Sequence, residues 1–376
     1  MSTPGQSRLS VRQALRDRCL TVASPETAAA LTRYLDTARG GLVFSSTQGI
    51  SGAEVIHAYY PGLILAPDPR EREEQPATPE APIALPPAEM SGQLTLDGSF
   101  GGHPTLQEVI EAQFRSGADI GVIPGRYIRA EDSESLSALI DAGNTIDRDD
   151  LIVRVPCAYP WLRPDEDHAG QLTAILDRSR HPVALSPADW ADPMDQKGVP
   201  AGLRAVTRTL GSRVTIWKTD LAGIDALTQG ALAAAIGVIP SLRHTCPPGG
   251  PGNAIDKTDK APRIFLPTLL RYVRASYLHD EWFASTDPWT CDCVICHGRP
   301  VDRFTGSKQD VAQAAVHNTI AITALHRDLT ALPVEHRTVL WREKLEQAEL
   351  AHTELSVYIQ RHVPFPKVLQ YWLDNT

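Results

Sequence analysis

Four short apolar runs are rich in β-branched residues: LIVRVP (151–156), PVALS (182–186), RVTIWK (213–218) and IGVIP (236–240). Residues 167–178, 200–210 and 223–234 lie between them and read as helices. Strands that alternate with helices pair in parallel, each helix carrying the chain back to the start of the next strand. The same alternation extends toward the N-terminus. LTVAS (20–24), GLVFS (41–45) and GLILA (62–66) read as strands, separated by helices near 25–39 and 51–60. A strand at 94–97 precedes the glycine-rich GSFGG (98–102). Residues 104–117 open on Pro and close on Gly, with Leu106, Val109, Ile110 and Phe114 on one helical face. A strand at 119–124 and a helix at 133–142 complete the series. So many successive βα units predict a (β/α)8 TIM barrel; a doubly wound open sheet is the alternative.

In a barrel the chemistry sits where strands end and loops begin. The polar residues at those ends are Asp68, Asp97, Arg126, Asp189, Asp220, Arg243, His244 and Cys246. Asp97, Asp220 and His244 are the candidates for a catalytic role. Each also has a plainer reading: Asp97 before Gly98 suits a turn, Asp220 suits a helix cap, and His244 suits a surface loop. Residues 67–90 are rich in Pro and Glu without periodicity, which predicts an exposed, semi-extended insertion.

Cys291, Cys293 and Cys296 place three thiols within six residues, and His317 follows in a helical run at 311–327. Three thiolates and one imidazole make a closed tetrahedral Zn²⁺ site, one ion per chain, structural because no position is left open for water. His297 adjoins Cys296 and reaches poorly for chelation. His326 lies nine residues beyond His317, more than two helical turns away. The expected divisions are a barrel core at 1–265 with an insertion at 67–93, a zinc-binding subdomain at 266–330, and a helical extension at 331–376. In that extension Val339, Leu340, Leu345, Leu350 and Leu355 form a stripe that packs on the barrel or a partner.

The chain has 376 residues, 42% hydrophobic and 22% charged, ordinary values for a globular protein. A net charge of −9 argues against a surface that coats nucleic acid generally. Any such contact is expected locally, through Arg271, Arg274, Arg299, Arg303 and Lys308 near the cysteine cluster. Six cysteines, three of them clustered with zinc spacing, residues 1–18 without an apolar signal core, and no apolar run longer than 231–240 predict a cytoplasmic protein with no membrane partner.

The pattern Cys291-x-Cys293-x-x-Cys296 with His317-Asn318 resembles the zinc signature of the tRNA-guanine transglycosylases. These TIM-barrel enzymes exchange guanine in tRNA for a 7-deazaguanine on the way to queuosine or archaeosine. PTLQEVIEAQFRSGADI (104–120) and LAGIDALTQGALAAAIGVIPSLR (221–243) are similar to two further family segments, in order. The resemblance spans about residues 94–330. It implies a pentosyltransferase, with tRNA or DNA as partner and a homodimer or a heterodimer with a catalytic paralogue. Its site elements are altered, however. The family's nucleophilic Asp falls on Ile236, its base-recognition Asp on Pro124 or Gly125, and its acid/base stretch is echoed only around Asp97. The resemblance therefore implies an accessory or binding member of a base-modification system. The alternative is an active base- or nucleoside-modifying enzyme with a site rebuilt on Asp97, Asp220 or His244.

Overall fold

The structure, a computed structural model, describes residues 9–45, 50, 52–68, 75–86, 104–164, 167–249 and 259–376. Helix α1 (Val11–Leu15) leads into strand β1 (Arg18–Ala23), followed by α2 (Pro25–Leu31), β2 (Gly40–Phe44), α3 (Ala53–Tyr59) and β3 (Ile64–Pro67). Next come α4 (Leu106–Arg115), β4 (Gly121–Pro124), α5 (Ser133–Asn144), β5 (Leu151–Ala158), α6 (His168–Asp177) and β6 (Val183–Ala188). Then follow α7 (Val199–Leu210), β7 (Val214–Thr219), α8 (Leu221–Thr228) and β8 (Ala233–Gly237). These eight strands are parallel, in the order β3-β2-β1-β8-β7-β6-β5-β4.

Asp119 bridges the gap between β3 and β4, and Gln113 satisfies the β4 backbone beside it. The Asp119 N–H donates to Leu65 O at 2.9 Å, and Asp119 Oδ2 accepts the Leu65 N–H at 2.8 Å. Gln113, on α4, donates to Val122 O at 2.8 Å and accepts the Val122 N–H at 2.7 Å. One carboxylate and one amide thus satisfy backbone groups that a ladder would otherwise pair. The result is a nearly closed barrel of eight parallel strands, as the alternation predicts. Inside it, Leu20, Val22, Val43, Ile64, Ala66, Val122, Ile152, Ala184, Trp217, Ala233 and Ala235 make one buried cluster. They sit at alternate strand positions, so their neighbours face the helices.

Beyond β8 the hairpin β9 (Arg263–Leu266) and β10 (Arg271–Arg274) leads through the single turn α9 (Ala275–Tyr277) to a small hairpin of β11 (Thr290–Cys291) and β12 (Arg299–Pro300). Three helices finish the chain: α10 (Lys308–Thr330), α11 (Val334–Tyr358) and α12 (Lys367–Asp374). Helix α10 packs against α2 and β1, and α11 packs against α8, so both join the barrel's outer layer. In the stripe expected to pack, Leu345 and Leu355 are buried, but Val339 and Leu350 face solvent. Among the described residues no helix is long and apolar enough to cross a membrane.

Three local expectations need correction. The strand expected at 236–240 runs from Ala233 to Gly237, and its preceding helix stops at Thr228 instead of 234. Ala233–Ala235 favour a helix intrinsically, but Gly230 at φ +96° turns the chain and the alanines fit a strand buried on both sides. Within the Pro-rich insertion, residues 75–86 are not simply solvated. Ala77 N–H donates to Tyr127 O at 2.7 Å and Ala84 N–H to Pro124 O at 2.7 Å, and both alanines are buried. The helix expected to span 25–39 ends at Leu31 and continues only as one 3₁₀ turn. The strand expected at 94–97 lies outside the described residues.

His326 on α10 is buried, its Nε2 2.9 Å from Asp17 O. Burial lowers its pKa to about 4, against 6.5 in the unfolded chain. The unfolded state therefore binds the extra proton between those values. This contribution is complete above pH 6.5 and is lost as pH falls toward 4, on the order of 3 kcal/mol. Burial lowers His181 and His352 in the same direction. Thermal melting should drop over this window, and His326→Gln should flatten the drop. An unchanged pH slope in that variant would remove His326 from the account.

Candidate metal group and barrel-mouth site

The β11–β12 hairpin folds Cys291, Cys293 and Cys296 around one point, and α10 brings His317 to it. Their Sγ and Nδ1 atoms all lie within 4.8 Å of one another. Cys291, Cys293 and Cys296 stand 3.6, 3.6 and 3.5 Å from His317 Nδ1. A tetrahedral zinc with ordinary Zn–S and Zn–N bonds sets that edge at about 3.6 Å. The group could hold a metal ion, and its donors and spacing are compatible with zinc.

The surroundings support that use. His317 Nε2 lies 2.9 Å from Phe265 O, which fixes the proton there and leaves Nδ1 as the donor to a metal. Asn318 accepts the Phe265 N–H at 2.7 Å and donates to Arg263 O at 2.9 Å, tying this turn of α10 to β9. Burial raises the Cys293 thiol, but His317 and the N–H groups of Ile295 and Cys296 outweigh it and bring the pKa to about 6. His297 is exposed, and His326 bonds to Asp17.

Most of the cations expected to meet nucleic acid have internal work. Arg299 donates to Cys296 O at 2.8 Å and Ile295 O at 2.6 Å, closing the cysteine turn. Arg303 donates to Cys296 Sγ at 3.5 Å, and Arg274 pairs with Asp259 at 2.9 Å. Arg271 is half-buried over the Trp282 ring. Of these five, Lys308 is exposed and makes no such contact among the described residues.

At the C-terminal end of the barrel, the inward positions turn from apolar to charged. Asp68 follows β3, Arg154 lies on β5 and Lys218 on β7; they are 1%, 2% and 3% exposed. Arg154 Nε approaches Asp68 Oδ1 at 3.3 Å, and Lys218 Nζ approaches Asp68 Oδ2 at 3.2 Å. Burial raises the Asp68 pKa, but the Lys218 and Arg154 charges outweigh it, so the group stays below the usual carboxylate range. Arg154 also donates to Thr245 Oγ1 at 3.2 Å, which stands 2.7 Å from Ser186 Oγ. Lys218 occupies a break in the β7–β8 register with φ +50°. A lysine in left-handed backbone costs about 1–3 kcal/mol, a strain that clusters at ligand sites.

A second polar group lies on the β6–β8 side. Asp220 caps α8, accepting the Ala222 N–H at 3.3 Å, so its plainer reading is realised. Asp189 accepts from the Trp190 N–H at 2.7 Å and Gln196 at 2.9 Å. Arg243 stacks over Tyr272 at 3.4 Å. Burial, then the nearby Asp220 charge, raises Asp192 to about 8. Burial lowers His244, against the opposing pull of Asp220 and Asp189. Asp189, Asp220 and His244 therefore share one side of the mouth without hydrogen-bonding to each other. Arg126 and Cys246 are half-buried. Asp97 lies outside the described residues.

Ile236 does not face the mouth. A Cβ on Gly223 of α8 would lie 3.5 Å from Ile236 Cγ1, which places the side chain between strand and helix. The alternation of β8 turns Gly237 inward instead. A side chain there would meet Leu242 O at 2.2 Å, so glycine is required. Ile236→Asp should consequently bury an unpaired carboxylate under α8, costing roughly 3 kcal/mol or more. Urea unfolding would show it, and wild-type stability in that variant would mean the strand register is wrong.

Arg154 and Lys218 do not stand out as site residues in the sequence. Their signal is a lone cation inside LIVRVP and another closing RVTIWK, charges that buried strands do not carry without partners. Compared with family models and with curated proteins, the chain matches none.

Proposed function

We propose that this chain is a tRNA-guanine transglycosylase-like (β/α)8 protein, braced by one structural zinc, whose barrel mouth binds a guanine-type base or its nucleoside. The proposal rests mainly on Asp68, Arg154 and Lys218, which converge on one another with Lys218 held in strained backbone. Two fixed donors beside one acceptor suit a purine edge: Arg and Lys pair with the guanine O6 and N7 acceptors, and a carboxylate accepts from its N–H groups. The cysteine signature supports the family reading. Neither Ile236 nor Gly237 offers a carboxylate, so exchange through an Asp at this strand is not part of the proposal. When bound, zinc would fix the β11–β12 hairpin to α10 through Cys291, Cys293, Cys296 and His317.

A second reading is an accessory member of a 7-deazaguanine system, working beside a catalytic paralogue on tRNA or DNA. The absence of a carboxylate at residues 236 and 237 favours it. Equilibrium dialysis with radiolabelled guanine tests both. Saturable binding near one equivalent, weakened tenfold or more by Arg154→Met, is expected from a base-binding mouth. No saturable binding would overturn that claim.

A further inference from the structure

We infer that Lys218 is a nucleophile at the mouth, an amine that forms an imine with the sugar C1′ in place of the missing carboxylate. This rests on the base-binding reading above. Lys218 combines features that an ordinary surface lysine lacks. It is buried at the C-terminal end of a barrel strand and its backbone is held at φ +50° by a break in the ladder. Its Nζ sits 3.2 Å from a carboxylate oxygen of Asp68. The other Asp68 oxygen is held by Arg154 at 3.3 Å. Trp217, just before it, belongs to the buried cluster inside the barrel. A lysine amine held out of bulk water is a known route to covalent catalysis, and Lys218 is 3% exposed.

The step balances without an oxidant or a reductant. The Lys218 ammonium gives a proton to the base, and the freed amine attacks C1′. The bond from C1′ to the base nitrogen breaks with its electron pair on the base, which leaves neutral while Asp68 stays anionic beside Lys218. A C1′–Nζ bond has formed. One proton on Nζ then passes to the ring oxygen as the sugar opens, leaving a protonated imine between Lys218 and C1′. Attack by a second base on C1′ reverses the sequence and returns the lysine. With a free aldehyde at C1′ the same amine condenses directly and releases water.

Two probes keep this inference separable from base binding. One is an oligonucleotide carrying an abasic deoxyribose, whose C1′ is already an aldehyde; the other is free 2-deoxyribose, which needs no nucleic-acid interface. Each is incubated with the full chain and cyanoborohydride, and adducts are mapped by peptide mass spectrometry. The expected result is a reduced adduct on Lys218 at least tenfold above that on exposed Lys197, lost in Lys218→Arg and kept in Lys197→Arg. Anisotropy with the same oligonucleotide reports binding on its own. Binding without an adduct on Lys218 from either probe overturns the lysine's role and leaves the base-binding reading standing. An adduct from 2-deoxyribose without oligonucleotide binding supports the lysine and counts against nucleic acid as the partner. Because the adduct is mapped on unaltered protein, the test holds even where Lys218→Arg folds poorly.

Discussion

Stripping the zinc proposed for the Cys291, Cys293, Cys296 and His317 group, or replacing Cys293 with Ser, should unfold the region from β9 to the start of α10. The hairpin of β11 and β12 is only two residues long on each side, too small to hold itself together. What fixes it is the convergence of three thiols on His317, and through His317 the link to Phe265 O. Binding of a structural zinc by such a donor set releases on the order of 10–16 kcal/mol in small peptides. That is comparable with the total stability of a domain, about 5–15 kcal/mol. Loss of the ion also leaves Cys296, which is buried, and a half-buried Cys293 without their ligand. Elemental analysis should find close to one zinc per chain, and Cys293→Ser should bind less than a tenth of that and melt at lower temperature or aggregate. Because α10 also lies on α2 and β1, the damage should spread into the barrel wall. Metal-free protein that melts like the wild type would show that the hairpin is held by packing alone.

Arg204→Met should be the most damaging change outside the metal group. Arg204 on α7 and Asp225 on α8 are 2% exposed each. The guanidinium grips the carboxylate at 2.9 and 2.6 Å. It also donates to Asn375 O at 2.9 Å and Thr376 Oγ1 at 2.8 Å, anchoring the segment after α12. Trp341 Nε1, from α11, donates to Asp225 at 2.9 Å. One ion pair therefore ties four helices together. Removing the cation leaves a buried carboxylate with a single neutral donor, at a cost of roughly 3–5 kcal/mol. Urea unfolding of Arg204→Met, Asp225→Asn and the double variant measures it, and the double should cost less than the two singles added. A loss under about 1 kcal/mol in Arg204→Met would mean that the pair is idle.

The fold is legible in the sequence where apolar runs repeat. The strands at 151–158, 183–188 and 214–219 lie within two residues of the stretches read from sequence, since no helix fits runs so short. The metal group is legible because cysteine spacing is a local property and His317 is the histidine a helix can deliver to it. The barrel mouth is not. Arg154 and Asp68 are 86 residues apart in the chain, and only the barrel's curvature brings them together. The inward turn of Lys218 depends on a ladder irregularity that no local motif announces. Ile236 shows the opposite failure, since an alignment of letters cannot tell which face of β8 a residue takes. Nor does the sequence show that Asp119 would bridge β3 and β4 or that Gln113 would satisfy Val122, because both resemble ordinary helix-surface and turn residues.

The base-binding claim is met most directly by a crystal structure of the zinc-loaded protein with guanine. The account predicts a purine at the C-terminal mouth of the barrel, within hydrogen-bond distance of Arg154 and Lys218 and near the Asp68 carboxylate. Guanine found only elsewhere, or a mouth that stays free of it at saturating concentration, would contradict the account.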